Sequence, residues 1–275
     1  MLIRCGYDIR FETQNKTAIM ALLSLHPSRH LDLRTPQRLL ADPDVPLYHF
    51  EDGFGNVATR LTIPAGGVTL SCDFVIEDSG LVDVPAPDGP HTPVEELPDA
   101  VMPFLLGSRY CETDRLMAFA WGNFAHYTTA RARVDAIVDF VHNHIEFGYH
   151  HARSDMTAWH AFQEQRGVCR DFAHLAVTLC RCMNIPARYC TGYLGDIGVP
   201  PVDAPMDFSA WFDVYIDGNW YTRDARHNQP RIGRILMARG RDATDVALTT
   251  AFGPTNLVRF DVHTDEVQSA GEKSY

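Results

Sequence analysis

The sequence predicts an α+β fold in which strands come first, helices follow, and an antiparallel sheet closes the chain. Three observations carry this. Residues 1 to about 80 read as strands and turns. The stretch VPAPDGPHTP then places four prolines between residues 85 and 93, which no regular helix or central strand tolerates. Beyond it the apolar period is helical as far as Pro186 and then changes to two, so the element types are segregated along the chain rather than alternating. No internal repeat is visible.

Each element has its own signal. Asp52-Gly53 and Phe54-Gly55-Asn56 mark turns leading into a strand over Val57–Ile63, and Gly66-Gly67 turns into another at 68–76. There Leu70, Cys72, Phe74 and Ile76 alternate onto one buried face. Glu112-Thr113-Asp114 caps a helix running to about Phe124. Residues 131–144 carry Val134, Ile137, Val138 and Val141 at helical spacing. A short helix covers 157–165 and stops near Gly167. Another begins at Cys169, with Phe172, Leu175, Ala176, Leu179 and Met183 on its apolar side. Residues 187–193 form a strand, and an Asp- and Pro-rich loop occupies 196–207. SAWFDVYI and NWYTRDA flank Asp217-Gly218, the strongest short hairpin signal in the chain. Strand-like segments follow at 232–238 and 257–262. The expected organisation is a β-rich unit over 1–84, a linker and lead-in over 85–111, and a second unit over 112–275.

A chain of 275 residues suits one large or two small domains. With 45% hydrophobic and 21% charged residues it can bury a core. A formal net charge of −11 repels phosphate backbones and anionic lipid, so neither nucleic acid nor membrane is expected as a partner. MLIRCGYDIRF has no apolar h-region and no small-residue cleavage site, and no apolar run approaches the ~20 residues that span a bilayer. Seven cysteines without paired zinc spacing fit reduced thiols. The expected location is the cytoplasm.

One cysteine stands apart. Cys169, in GVCRDFAH, begins a helix, where unpaired N–H groups and the helix dipole favour a thiolate. Gly167 permits close backbone approach just before it. Arg170 favours the thiolate and Asp171 opposes it. The other six cysteines lack this setting.

GVCRDFAHLAVTLCRCMNIPARYCTGYL resembles the nucleophile helix and following strand of the bacterial transglutaminase-like family, thiol enzymes of papain-like architecture. SAWFDVYIDGNWYTRDARHN is similar to that family's hairpin, where a HAW-type strand carries the catalytic His and the next strand an Asp. The DGFGN stretch is also similar to the β domain that often precedes the core. The resemblance implies a transglutaminase-like core of helices on an antiparallel sheet over 112–275. It implies a nucleophile at Cys169 and an orienting acid at Asp224. It places the base at position 209, which is Ser209. A serine hydroxyl cannot shuttle a proton near neutral pH.

If Asp217-Gly218 is a two-residue turn, Trp211 faces Asp224 and Ser209 faces Arg226, with Ser209 and Asp224 diagonal neighbours roughly 7–8 Å apart at Cα. If the turn has three residues, His227 faces Ser209 and Asp224 turns to the other face. His227, three residues past Asp224, is the nearest substitute base by sequence. Its bland alternative is a loop His satisfied by solvent or backbone. His174 lies five residues beyond Cys169, ~140° away around the helix, and reads as structural. His142, His144, His150, His151 and His160 form a His-rich region, but i, i+2 spacing does not put two imidazoles on one helix face and no carboxylate cluster has ligand spacing, so no metal is assigned. Trp211 and Trp220 read as sheet-core aromatics. Tyr149 and Trp159, upstream of Cys169, are candidate cleft-lining residues for substrate.

The functional expectation is acyl transfer on peptide or amide bonds through a thioester on Cys169, as a cysteine peptidase or amidase sooner than a transamidase. No cofactor is expected, and the expected partner is a peptide or protein substrate. The alternative is a catalytically impaired relative, with Ser209 in place of the base, that binds a peptide or partner.

Overall fold

The computed structural model describes residues 1–201 and 205–267. Positions 202–204 of the Asp- and Pro-rich loop, and positions 268–275, lie outside the described residues. In chain order the first strands are β1 (Leu2–Glu12), β2 (Thr17–Ala21), β3 (Leu40–Asp42), β4 (Tyr48–Glu51), β5 (Val57–Ile63) and β6 (Val68–Glu77). Helices α1 (Thr113–Phe124) and α2 (Ala130–His144) follow, then α3 (Ala158–Glu164) and α4 (Cys169–Cys182). The short strands β7 (Glu146–Phe147) and β8 (Arg166–Gly167) pair in parallel beside α3. The chain continues through β9 (Ala187–Leu194), β10 (Ser209–Ile216), β11 (Asn219–Arg223), β12 (Arg234–Gly240), β13 (Thr249–Ala251) and β14 (Asn256–Glu266). This is the expected α+β architecture.

Two antiparallel sheets, ordered β14-β1-β6-β3 and β13-β2-β5-β4, form the β-rich part. The last two strands therefore return to the sheets built by the first eighty residues: β14 pairs along β1 and β13 along β2. Period-two burial explains these strands, with Ile3, Cys5, Tyr7, Ile9 and Phe11 of β1 buried beside Leu70, Cys72, Phe74 and Ile76 of β6.

The third antiparallel sheet, β11-β10-β9-β12, positions the site. Every residue of β9 is buried. The sheet is covered on both sides, so its central strand loses the half-polar alternation. One side packs Phe212, Val214 and Ile216 against Phe172, Leu175, Ala176 and Leu179 of α4 and against α1 and α2. The other side carries Tyr193, Ile235 and Met237 into the core of the β-rich part. Gly192 allows β12 to cross closely, since a Cβ there would lie 2.1 Å from the Ile235 carbonyl oxygen. The β10–β11 hairpin turns on two residues, Asp217 and Gly218, both with positive φ (48° and 81°), which fits a type I′ turn.

Two local expectations change. Glu112 occupies the cap position of α1 without a capping bond; its carboxylate accepts instead from the Trp159 N–H at 3.0 Å, tying α1 to α3. Trp220 is half-buried rather than core, edge-on to Phe104 and under the Arg188 guanidinium.

Candidate active site

Cys169 is the first residue of α4, and it is half-buried where the other six cysteines are buried. The helix start is built locally. Val168 holds extended dihedrals at the cap, and the Asp171 carboxylate folds back to accept from the Val168 N–H at 2.9 Å. Asp171 needs the space that Gly167 leaves open, because a Cβ at 167 would lie 2.7 Å from the Asp171 Cβ. Arg170 pairs with Asp171 at 3.2 Å, so these two charges largely answer each other.

The sequence expectation of a depressed thiol pKa does not hold for the resting geometry. Burial pushes the Cys169 thiol up to about 11, and the Asp207 and Asp224 carboxylates push the same way. The Ala210 N–H, directed at the sulfur, and the Arg226 guanidinium act in the opposite direction without overcoming this. The helix end alone does not make a thiolate here.

Ser209 opens β10 and lines the same cleft as Cys169. The hairpin has the two-residue turn, but β11 stops at Arg223, so Asp224 leaves the ladder before reaching a cross-strand position opposite Trp211. Residues 224–228 instead form one tight turn. The Asp224 carbonyl accepts from the Asn228 N–H at 2.9 Å, and Asp224 Oδ1 accepts from the His227 N–H at 3.0 Å. This turn brings the His227 ring back over Asp224, with Nδ1 to Oδ2 at 2.8 Å. His227 is thus bonded to a carboxylate rather than left to solvent, and its ring lines the cleft that holds Cys169 and Ser209. Helix α2 fixes the turn from outside. His142 Nδ1 lies 3.1 Å from the carbonyls of both Ala225 and Arg226, and Asn228 donates to Asp139 at 2.8 Å.

Asp224 is itself braced. Arg234 Nη2 donates to Oδ2 at 2.9 Å, and Arg234 Nε lies 3.0 Å from both oxygens of Asp83. Burial opposes ionisation of Asp224, but the hydrogen bonds from His227 and the Arg234 charge outweigh it and hold the carboxyl well below the usual carboxylate range. An ionised Asp224 orients His227 with Nδ1–H toward the carboxylate, which leaves Nε2 as the acceptor nitrogen, and Arg226 Nη1 donates to it.

Tyr149 lines the cleft, beside Phe147. Trp159 does not: it stacks on Phe162 under the Arg115 guanidinium, packed on the helical core. His174 is fully buried between the rings of Tyr110 and Tyr189, its Nε2 accepting from the Ala243 N–H at 3.1 Å. Burial lowers its pKa to about 3. The His-rich region is dispersed as well. His144 Nε2 donates to the Phe162 carbonyl at 2.7 Å and His160 Nδ1 bonds the Thr157 hydroxyl at 3.2 Å, and among the described residues no three His, Cys, Asp or Glu side chains are grouped to hold a metal ion. Sequence reasoning placed Arg226 opposite Ser209 but gave it no role, and it passed over Arg234 and Asp83.

A thiol at a helix start and an imidazole–carboxylate pair carried just beyond a hairpin line one cleft. Residues 121–225 match the family model of the transglutaminase-like superfamily, and this stretch is a transglutaminase-like domain. Over 99% of this chain and 92% of the other, the fold is similar to the crystal structure of a candidate cysteine protease from Cytophaga hutchinsonii, with a TM-score of 0.82 and 28% identity. An uncharacterized Mycobacterium leprae protein is 37% identical over 93 residues, a match that spans 32% of this chain and only 32% of that relative's length. An uncharacterized Mycobacterium tuberculosis protein is 26% identical over 250 residues, covering 80% of this chain and 77% of the relative. No helix among the described residues is long and apolar enough to cross a membrane.

Proposed function

We propose that the protein is a thiol-dependent acyl-transfer enzyme that cleaves peptide or amide bonds through a thioester on Cys169, with His227 in place of the base missing at Ser209. The observation that carries this reading is the Asp224–His227 pair opening on the cleft that holds Cys169. The base is displaced by eighteen positions rather than lost.

In this reading the Cys169 proton passes to His227 Nε2 as the sulfur attacks the carbonyl carbon of the substrate. The resulting imidazolium is stabilised by ionised Asp224. The oxyanion is received by the Cys169 N–H, which lies in the first turn of α4 where N–H groups have no intrahelical acceptor. Collapse expels the amine, which takes the proton from His227, and leaves the acyl group on sulfur. Water then attacks the thioester with His227 again accepting a proton, releasing the acid and restoring the thiol. Hydrolysis is favoured over transamidation by the likeness to the candidate protease. Ser209 contributes a hydroxyl that can hold a water but moves no proton.

The test is turnover of a peptide or amide library by the wild type, His227→Ala and Ser209→His. Activity in the wild type that His227→Ala removes supports the displaced base. An inert wild type that Ser209→His awakens supports the rival reading, an impaired site that only binds.

A further inference from the structure

Resting on the thiol-enzyme reading, we propose that Arg226 is the recognition group of the cleft and that the substrates carry a carboxylate next to the scissile amide. Four observations converge on it. The Arg226 side chain lines the cleft with Cys169 and Tyr149. Among the described residues it has no carboxylate partner, whereas Arg170, Arg188, Arg234 and Arg241 each pair with an aspartate. Its position is prepared: the guanidinium sits 4.0 Å from the centre of the Phe147 ring, and its own carbonyl is held by His142 at 3.1 Å. Lastly, its Nη1 donates to His227 Nε2.

That last contact gives the arginine a second consequence. Nε2 is the atom that must take the Cys169 proton, and a donated guanidinium N–H occupies its lone pair. A carboxylate binds a guanidinium through two parallel charge-assisted bonds, which a neutral imidazole nitrogen cannot match. A substrate carboxylate therefore draws Arg226 off the ring and leaves Nε2 open to the thiol. The base is released when the acid-bearing substrate is present. A neutral amide has no means of moving the arginine and meets a capped base. Asp207, in the same cleft, bonds through Oδ1 to the Phe208 N–H and makes no ion pair with Arg226, so the guanidinium is not neutralised from that side.

Paired alkylating reagents test this directly. Iodoacetate and iodoacetamide both transfer a CH₂ unit to the thiolate with loss of iodide, and they differ in the charge beside the reacting carbon. The ratio of their rates at one pH cancels the resting thiolate fraction and leaves the effect of the reagent's own carboxylate. At Cys169 of the wild type, located by peptide mapping, the iodoacetate-to-iodoacetamide ratio is expected to exceed that of glutathione by ~10-fold or more, and Arg226→Gln is expected to return it to the glutathione value. A wild-type ratio equal to that of glutathione overturns the proposal without any variant. So does a raised ratio that survives in Arg226→Gln. If Cys169 reacts with neither reagent near neutral pH, the thiol-enzyme reading itself fails, and this proposal falls with it.

Discussion

Removing the His227 imidazole isolates what the cleft does to the Cys169 thiol. Burial and the nearby carboxylates place that thiol at about 11, against about 8.5 for an ordinary cysteine. If nothing accepts the proton, the thiolate fraction at pH 7 falls roughly 300-fold relative to an ordinary thiol. A more basic thiolate is intrinsically more nucleophilic, with a Brønsted slope near 0.45, which recovers about 13-fold. In His227→Ala, iodoacetamide should therefore alkylate Cys169 about 20-fold more slowly than a free thiol at pH 7, with the rate still climbing beyond pH 10. In the wild type the carboxylate of iodoacetate draws Arg226 off Nε2 and lets the proton pass to His227, so the iodoacetate profile should gain a reactive limb at neutral pH that the variant lacks. The assay is rate against pH, read by mass spectrometry at the Cys169 peptide, with the six buried cysteines as internal controls. Identical profiles for wild type and variant, both with a midpoint near 8.5, would refute the idea that His227 governs this thiol.

Two further predictions concern the frame around the site. Arg234→Met removes a buried charge from Asp224 and leaves that carboxylate under-compensated, which should cost about 3–5 kcal/mol in chemical denaturation; loss below 1 kcal/mol would show that the Arg234 bond does not brace the turn. His174 titrates near 3 when folded and near 6.5 when unfolded. The unfolded chain therefore takes up the proton first, and stability held above pH 6.5 drains away as pH falls toward 3, by up to about 5 kcal/mol. His174→Gln, measured by thermal melting against pH, should flatten that acid limb; an unchanged limb assigns the acid lability elsewhere.

Much of the fold was legible because it rests on local signals. Asp217-Gly218 fixed the hairpin, and the apolar stripe from Phe172 to Met183 fixed α4. Val57–Ile63 could be read to the residue because turns bound it on both sides. β2, β3, β4 and β13 left no comparable mark, since three to five residues are too few for a period to show. The return of β13 and β14 to the N-terminal sheets is a long-range pairing that no local pattern encodes. The site was half legible. Cys169 could be singled out from its helix start, and the departure at Ser209 was plain from the hairpin. What sequence reasoning could not weigh was burial, which reverses the expected effect of the helix end on the thiol. Nor could it see the turn at 224–228. Sequence placed Asp224 in a strand, diagonal to Ser209, whereas the strand ends one residue earlier and the aspartate binds the His three positions on.

The central claim is that Cys169 carries an acyl group with His227 as its base. Intact-mass spectrometry of the protein quenched during reaction with a carboxylate-bearing activated amide measures it directly. The account predicts a covalent acyl adduct on the wild type that maps to Cys169, disappears in Cys169→Ala, and fails to accumulate in His227→Ala. A wild type that never acylates, beside a Ser209→His variant that does, would contradict it.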